Sequence, residues 1–249
     1  MRYLLLHLLL PLLLSAGPPS PAHLLDSLQK QSELRTDASA TVRITQTKAG
    51  QGAREFSMRW FRRDSDESFV ILMDAPESER GNGYLRSGEH FWMYRRNTRT
   101  FQHVNRDESI GGTDARGDDF ESRKLTELYM GDGTREGAPV LDTLGKVPAW
   151  RFSVKAKVRD VDYPRKTYWV SRNGWQLLKE QAWSSTGTLM QTAYYLKYQP
   201  IDNHLVATRM LFVDEFEKGN RTMVEVGEIR NTRIPDAIFT KAWLESQSK

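Results

Sequence analysis

A mainly β chain with short helices, either a sandwich or a curled antiparallel sheet approaching a barrel, is what this sequence predicts, on three observations. Apolar and polar residues alternate with a period of two along most of the chain, as in Ala40 to Gln46, where Val42 and Ile44 fall on one side and Thr41, Arg43 and Thr45 on the other. Turn signals such as Arg172-Asn173-Gly174 and Ser184-Ser185-Thr186-Gly187 recur at the close spacing of antiparallel meanders. Helical spacing of apolar residues occurs only in short stretches.

The first element is an address. In MRYLLLHLLLPLLLSAGPPSPA, Arg2 supplies a charged start, Tyr3 to Leu14 an apolar run, and Ser15-Ala16-Gly17 small residues for cleavage. The run is too short to span a bilayer, and Pro11 interrupts it. Residues 1–17 are therefore expected to be a removed secretory signal, and residues 18–249 one domain outside the cytoplasmic membrane. Arg2 is the one charged residue of the signal, so its removal takes the 36 Lys+Arg to 35 against 32 Asp+Glu, a surplus of three. So small a surplus on an exported chain excludes a nucleic-acid footprint. The chain has no cysteine, which excludes disulfides, a thiol nucleophile and a lipidated N-terminal Cys.

Next, Pro21 to Leu34 carries Leu24, Leu25, Leu28 and Leu34 as an amphipathic helix. After the strand at Ala40 to Gln46, Phe56, Met58 and Trp60 share one face of a second strand. Phe69 to Tyr94 then reads strand, turn, strand, tight turn, strand, with large side chains on both faces, so both faces need a cover. Thr100 to Asn105 is another strand. Arg106 to Glu121, rich in Gly and acids, reads as a long loop; its acids lack the D-x-D-x-D-G register of a calcium loop. Ser122 to Met130 suits a helix of about two turns with Leu125, Leu128 and Tyr129 on one side. Six further strands follow, at 149–157, 166–171, 176–184, 189–198, 205–214 and 222–230. Asp236 then stands as cap or turn residue for a terminal helical turn with Ile238, Phe239, Trp243 and Leu244. About eleven strands with one or two short helices against the open side would enclose a cavity.

Catalytic patterns are missing. There is no G-x-S-x-G, no H-E-x-x-H, no P-loop and no G-x-G-x-x-G; Gly81-Asn82-Gly83 lies between strands and is a turn. His23, His90, His103 and His204 are scattered, although His90 and His103 approach if their strands pair. No catalytic residue, metal ligand or cofactor is expected. A lipid-modifying hydrolase would need a serine or aspartate that no motif singles out. The remaining chemistry is apolar binding: Met58, Trp60, Phe69, Ile71, Met73, Tyr84, Phe91 and Met93 are the candidate lining of a concave surface, flexible methionines beside aromatics suiting variable acyl chains. An ordinary packed core would use the same residues.

Pro76-Glu77, Arg80-Gly-Asn-Gly-Tyr-Leu85, Phe91-Trp-Met-Tyr94 with Arg95 and Arg99, Asp118-Asp-Phe120, Leu205-Val-Ala-Thr-Arg-Met210 and Ile234-Pro-Asp-Ala-Ile-Phe-Thr240 with Trp243-Leu-Glu245 form an ordered series. It resembles the outer-membrane lipoprotein-sorting proteins, the LolA-like periplasmic carriers, over most of the chain. The resemblance implies an incomplete, open antiparallel β-barrel, LolA/LppX-like, with a helical lid over a hydrophobic cavity. It implies a monomeric carrier of lipoprotein or lipid cargo, taken from an inner-membrane transporter (an ABC permease or an RND/MMPL-type exporter) towards an outer-membrane acceptor. Leu24, Leu25, Leu28, Leu125 and Leu128 are the lid candidates. The long acidic loop departs from the shorter carriers and points to a lipid cargo. A periplasmic sensor or regulatory binding protein of the same fold is the alternative.

Overall fold

A computed structural model describes residues 17–33, 36–105, 110–111, 124–201 and 204–248. The signal segment through Ala16, Leu34, and residues 106–109 and 112–121 of the acidic loop lie outside the described residues.

Helix α1 is Pro21–Ser32. Ser20 caps it, its Oγ accepting the His23 N–H at 3.2 Å, and Pro21 sits at the first turn, where a missing N–H costs nothing. The strands are β1 Ala38–Lys48, β2 Gly52–Arg63, β3 Ser68–Ala75, β4 Gly83–Ser87, β5 His90–Arg95 and β6 Thr100–His103. After α2, Leu125–Leu128, come β7 Tyr129–Gly131, β8 Val140–Leu144, β9 Val147–Ala156, β10 Arg165–Ser171, β11 Leu177–Trp183, β12 Leu189–Ile201, β13 His204–Asp214 and β14 Arg221–Asn231. A 3-10 turn, Asp236–Phe239, leads into α3, Lys241–Gln247.

All fourteen strands belong to one antiparallel sheet in the order β6-β5-β4-β3-β2-β1-β14-β13-β12-β11-β10-β9-β7, with β8 also on β9. Its end strands β6 and β7 do not pair, so the sheet is open and not a closed barrel. Among the described residues no helix is long and apolar enough to cross a membrane.

Three expectations are corrected. The helix expected over Ser122 to Met130 is one turn, because Tyr129, Met130 and Gly131 find partners on the edge of β9 at Ala156, Lys155 and Val154 and complete a strand instead. The strand β8 was not expected; the Gly145 turn, at φ 62°, folds Val140–Leu144 back on β9. Of the two roles expected of Asp236, cap or turn residue, only the second holds: it opens the 3-10 turn but caps nothing. Its carboxylate takes a hydrogen bond from Arg63 Nη1 at 2.8 Å, and Thr240 caps α3 by accepting the Trp243 N–H at 3.2 Å.

Arg63 ties the chain's end to the sheet. It also bonds Asp37, at 3.1 Å, and the carbonyl of Ile234, and lies 4.4 Å over the Phe239 ring. Asp37 in turn accepts the Ile234 N–H at 2.7 Å. The paired carboxylates hold the guanidinium above its ordinary value, Asp37 first, against the opposing effect of burial.

Candidate functional site

Directly opposed residues of an antiparallel pair lie on the same side of a sheet, so the register traces each face. One face runs Phe91 and Met93 on β5, Tyr84 on β4, Phe69, Ile71 and Met73 on β3, Phe56, Met58 and Trp60 on β2, Val42 and Ile44 on β1, and Val224 and Val226 on β14. It continues through Met210 and Phe212 on β13, Tyr195 and Ala193 on β12, Glu180 and Ala182 on β11, and Tyr168 and Lys166 on β10 to Phe152 and Val154 on β9. The structure brings all eight candidate lining residues together on this face. Met58, Phe69, Ile71, Met73, Tyr84, Phe91 and Met93 are buried in one cluster, and Trp60 packs half-buried against it.

Ile110 covers that cluster. It is wholly buried there, and the Gly111 N–H donates to the Tyr84 hydroxyl at 2.7 Å. Gly111 has φ 60°, a left-handed backbone conformation that favours glycine, and a Cβ on it would lie 2.6 Å from Met73 Cε. Sequence reasoning missed Ile110: it stands in an aperiodic Gly- and Asp-rich stretch, where the lone large aliphatic residue was the only signal.

The lid candidates sit elsewhere on the same face. Leu24, Leu25 and Leu28 of α1 are buried with Tyr129, Phe152, Val154, Tyr168 and Val170, and Leu125 and Leu128 pack half-buried against that second cluster. Helix α1 is held at both ends. Pro21 abuts Gly131 on β7, and Gln31 Oε1 accepts the Leu205 N–H on β13 at 3.4 Å. Gln29 accepts the Leu125 N–H at 2.8 Å and so fixes α2 to α1. Burying three leucines is worth about 1.5–3 kcal/mol each. Between the two covers Met210, Phe212, Tyr195, Val224 and Val226 are half-buried.

The opposite face of β3 to β5 has its own cover. Val70, Leu72, Leu85 and Tyr94 pack with Ile234, Phe239 and Leu244, and with Ile238 and Trp243. A Cβ on Gly83 would lie 2.5 Å from Leu244 Cδ1, so glycine lets α3 lie flat on β4. The two apolar faces of the meander are thus covered by different parts of the chain, the C-terminal helix outside and Ile110 inside.

Within the inner face lies a polar island that sequence reasoning also missed. Lys166 Nζ and Glu180 Oε1 are 2.7 Å apart, with side chains only 18% and 13% exposed. Burial opposes charge on Lys166, but Glu180, with Tyr168 and Tyr129 adding, outweighs it and holds the ammonium well above its ordinary value. Burial pushes the Tyr168 and Tyr195 phenols up. At the sheet edge His90 and His103 do approach, with ring centroids 6.0 Å apart and Trp92 beside both. Among the described residues no group of acids and histidines could hold a metal ion.

The fold recurs in solved structures of low sequence identity. A LolA superfamily protein from Nitrosomonas europaea superposes with a TM-score of 0.73 at 17% identity, over 90% of this chain and 99% of that one. A domain named for outer membrane lipoprotein sorting from Vibrio parahaemolyticus gives 0.76 at 15%, over 90% and 98%, and a DUF1329 family protein from Desulfovibrio piger gives 0.77 at 16%, over 90% and 97%. At such identities the likeness carries the fold alone. A family model described as "Uncharacterized protein" matches residues 65–246, and the chain belongs to that family. No curated protein matches it.

Proposed function

We propose that the protein is a periplasmic carrier that shields the acyl chains of a lipid or lipoprotein against the inner face of its open sheet. The observation that carries this reading is the extent of that face: a largely apolar surface, interrupted by Lys166 and Glu180, runs from β5 to β9 and is covered in separate patches, by Ile110 and by α1, with half-buried apolar residues between. An acyl chain gains about 0.8 kcal/mol for each methylene removed from water, and a face with replaceable covers can supply and later withdraw that gain. Met58, Trp60, Phe69, Ile71, Met73, Tyr84, Phe91 and Met93 are its proposed lining. Residues 1–17 are the proposed export signal, the rest being one carrier domain. Delivery from an inner-membrane transporter to an outer-membrane acceptor, by a monomer without catalysis, completes the proposal.

The test is native mass spectrometry of protein purified from the periplasm, followed by titration with a fluorescent fatty-acyl probe. Co-purifying lipid and saturable probe binding are expected. Protein that is consistently empty and binds no probe overturns the reading.

A further inference from the structure

The carrier reading leaves a buried ion pair in the middle of an apolar face without a purpose. Burying such a pair costs several kcal/mol per ion, and apolar residues of similar volume would hold the sheet at least as well. The register gathers more polar groups around it. Glu180 stands opposite Tyr168 on one side and Ala193 on the other, and Lys166 stands opposite Ala182 and Val154. Lys166 Nζ also lies 5.4 Å from the centre of the Tyr129 ring. Tyr168 is 1% exposed, and its buried hydroxyl has no hydrogen-bond partner among the described residues. Leaving such a hydroxyl unpaired costs about 1–3 kcal/mol.

We propose that Lys166, Glu180, Tyr168 and Tyr195 form a head-group subsite that takes the uncharged ester or amide carbonyl at the end of a bound acyl chain; this rests on the carrier reading. The donor inventory selects an acceptor. Lys166 has three N–H groups and spends one on Glu180, and Tyr168 has an O–H with nothing to receive it. The charge balance selects a neutral one. Lys166 and Glu180 already cancel, so a carboxylate would add an unpaired negative charge beside Glu180 in a low-dielectric face. A carbonyl oxygen accepts from Tyr168 without adding charge. The raised tyrosine values act in the same sense, since both phenols keep their protons and remain donors.

The experiment uses the full chain carrying a fluorescent acyl probe, displaced by methyl dodecanoate, by dodecanoate at pH 8, or by dodecane. The ester is expected to displace the probe at about a five- to tenfold lower concentration than either of the others, the worth of one added hydrogen bond in a dry site. Tyr168→Phe removes only the hydroxyl. It should bring the ester down to the level of dodecane while leaving the urea midpoint unchanged or raised, so loss of fold cannot mimic the result. Equal displacement by ester and dodecane, or a preference that survives Tyr168→Phe, overturns the subsite and leaves the hydroxyl to water. Preference for dodecanoate overturns the neutral carbonyl. Failure of the probe itself to bind overturns the carrier reading and the subsite with it, and is told apart because no ligand series is then measurable.

Discussion

Replacing Ile110 by alanine should make the protein less stable and a better binder at the same time. Ile110 is wholly buried against Phe56, Met73 and their neighbours on the inner face. Alanine lacks three of its carbons, and at about 0.8 kcal/mol each the cover loses roughly 2.4 kcal/mol of its hold on the face. If an acyl chain must displace Ile110 to bind, its apparent affinity is reduced by the fraction of molecules left uncovered, and the substitution returns most of that reduction, about fiftyfold. Urea unfolding and titration with a fluorescent acyl probe on the same samples check both halves: a lower midpoint with a tighter dissociation constant. A core residue would give a lower midpoint with unchanged or weaker binding. That outcome would refute the reasoning and make the cluster around Met58, Phe69 and Met73 an ordinary core.

Three other substitutions separate the roles of the face, its outer cover and its edge. Phe212→Asp puts a charge at a half-buried position between the two covers; acyl binding should vanish while the unfolding free energy in urea changes by less than about 1 kcal/mol, whereas Met73→Asp, at 1% exposure, should unfold the chain, as circular dichroism would report. Gly83→Ala drives a Cβ to 2.5 Å from Leu244 and 2.8 Å from the carbonyl of Ile71, and should cost about 1–3 kcal/mol in urea unfolding with acyl binding intact, because α3 lies on the other face. Asp142 accepts the Thr143 N–H first and the Trp169 indole N–H second, and Arg151 lies alongside, so its carboxyl is held below the ordinary 3.8 although burial opposes it. A depressed acid stabilises the fold above its unfolded value and loses that contribution as the pH falls through the folded one. The stability gap between the wild type and Asp142→Asn should therefore be full at pH 7 and close below 3.8, followed by urea unfolding with tryptophan fluorescence.

The period of two made the sheet legible. Phe69, Ile71 and Met73 separate from Val70 and Leu72 by alternation alone, and the structure sends the two sets to different clusters. Alternation failed where pairing, and not pattern, decides the state. Tyr129-Met130 extends a helical spacing, yet the free edge of β9 makes it strand; β8 breaks the period of two, with Asp142 standing between Val140 and Leu144, and Leu141 is 62% exposed. The polar island was hidden for a related reason. Lys166 meets Glu180 only because β10 and β11 pair with a register shift between Trp169 and Val170, and a sequence does not state a shift.

The leucine spacing of α1 likewise announced an apolar stripe but not what lies beneath it. Beneath it are Phe152, Val154 and Tyr168, and lifting the helix would expose three buried leucines at roughly 5–9 kcal/mol, a population of opened molecules on the order of one in a few thousand or fewer. Displacing Ile110 exposes one side chain. A bound chain would thus enter past Ile110 and lie along β14 and β13 towards α1 and the Tyr168 beneath it. The helix that periodicity marks as a lid is, by its burial, the more costly of the two covers to move.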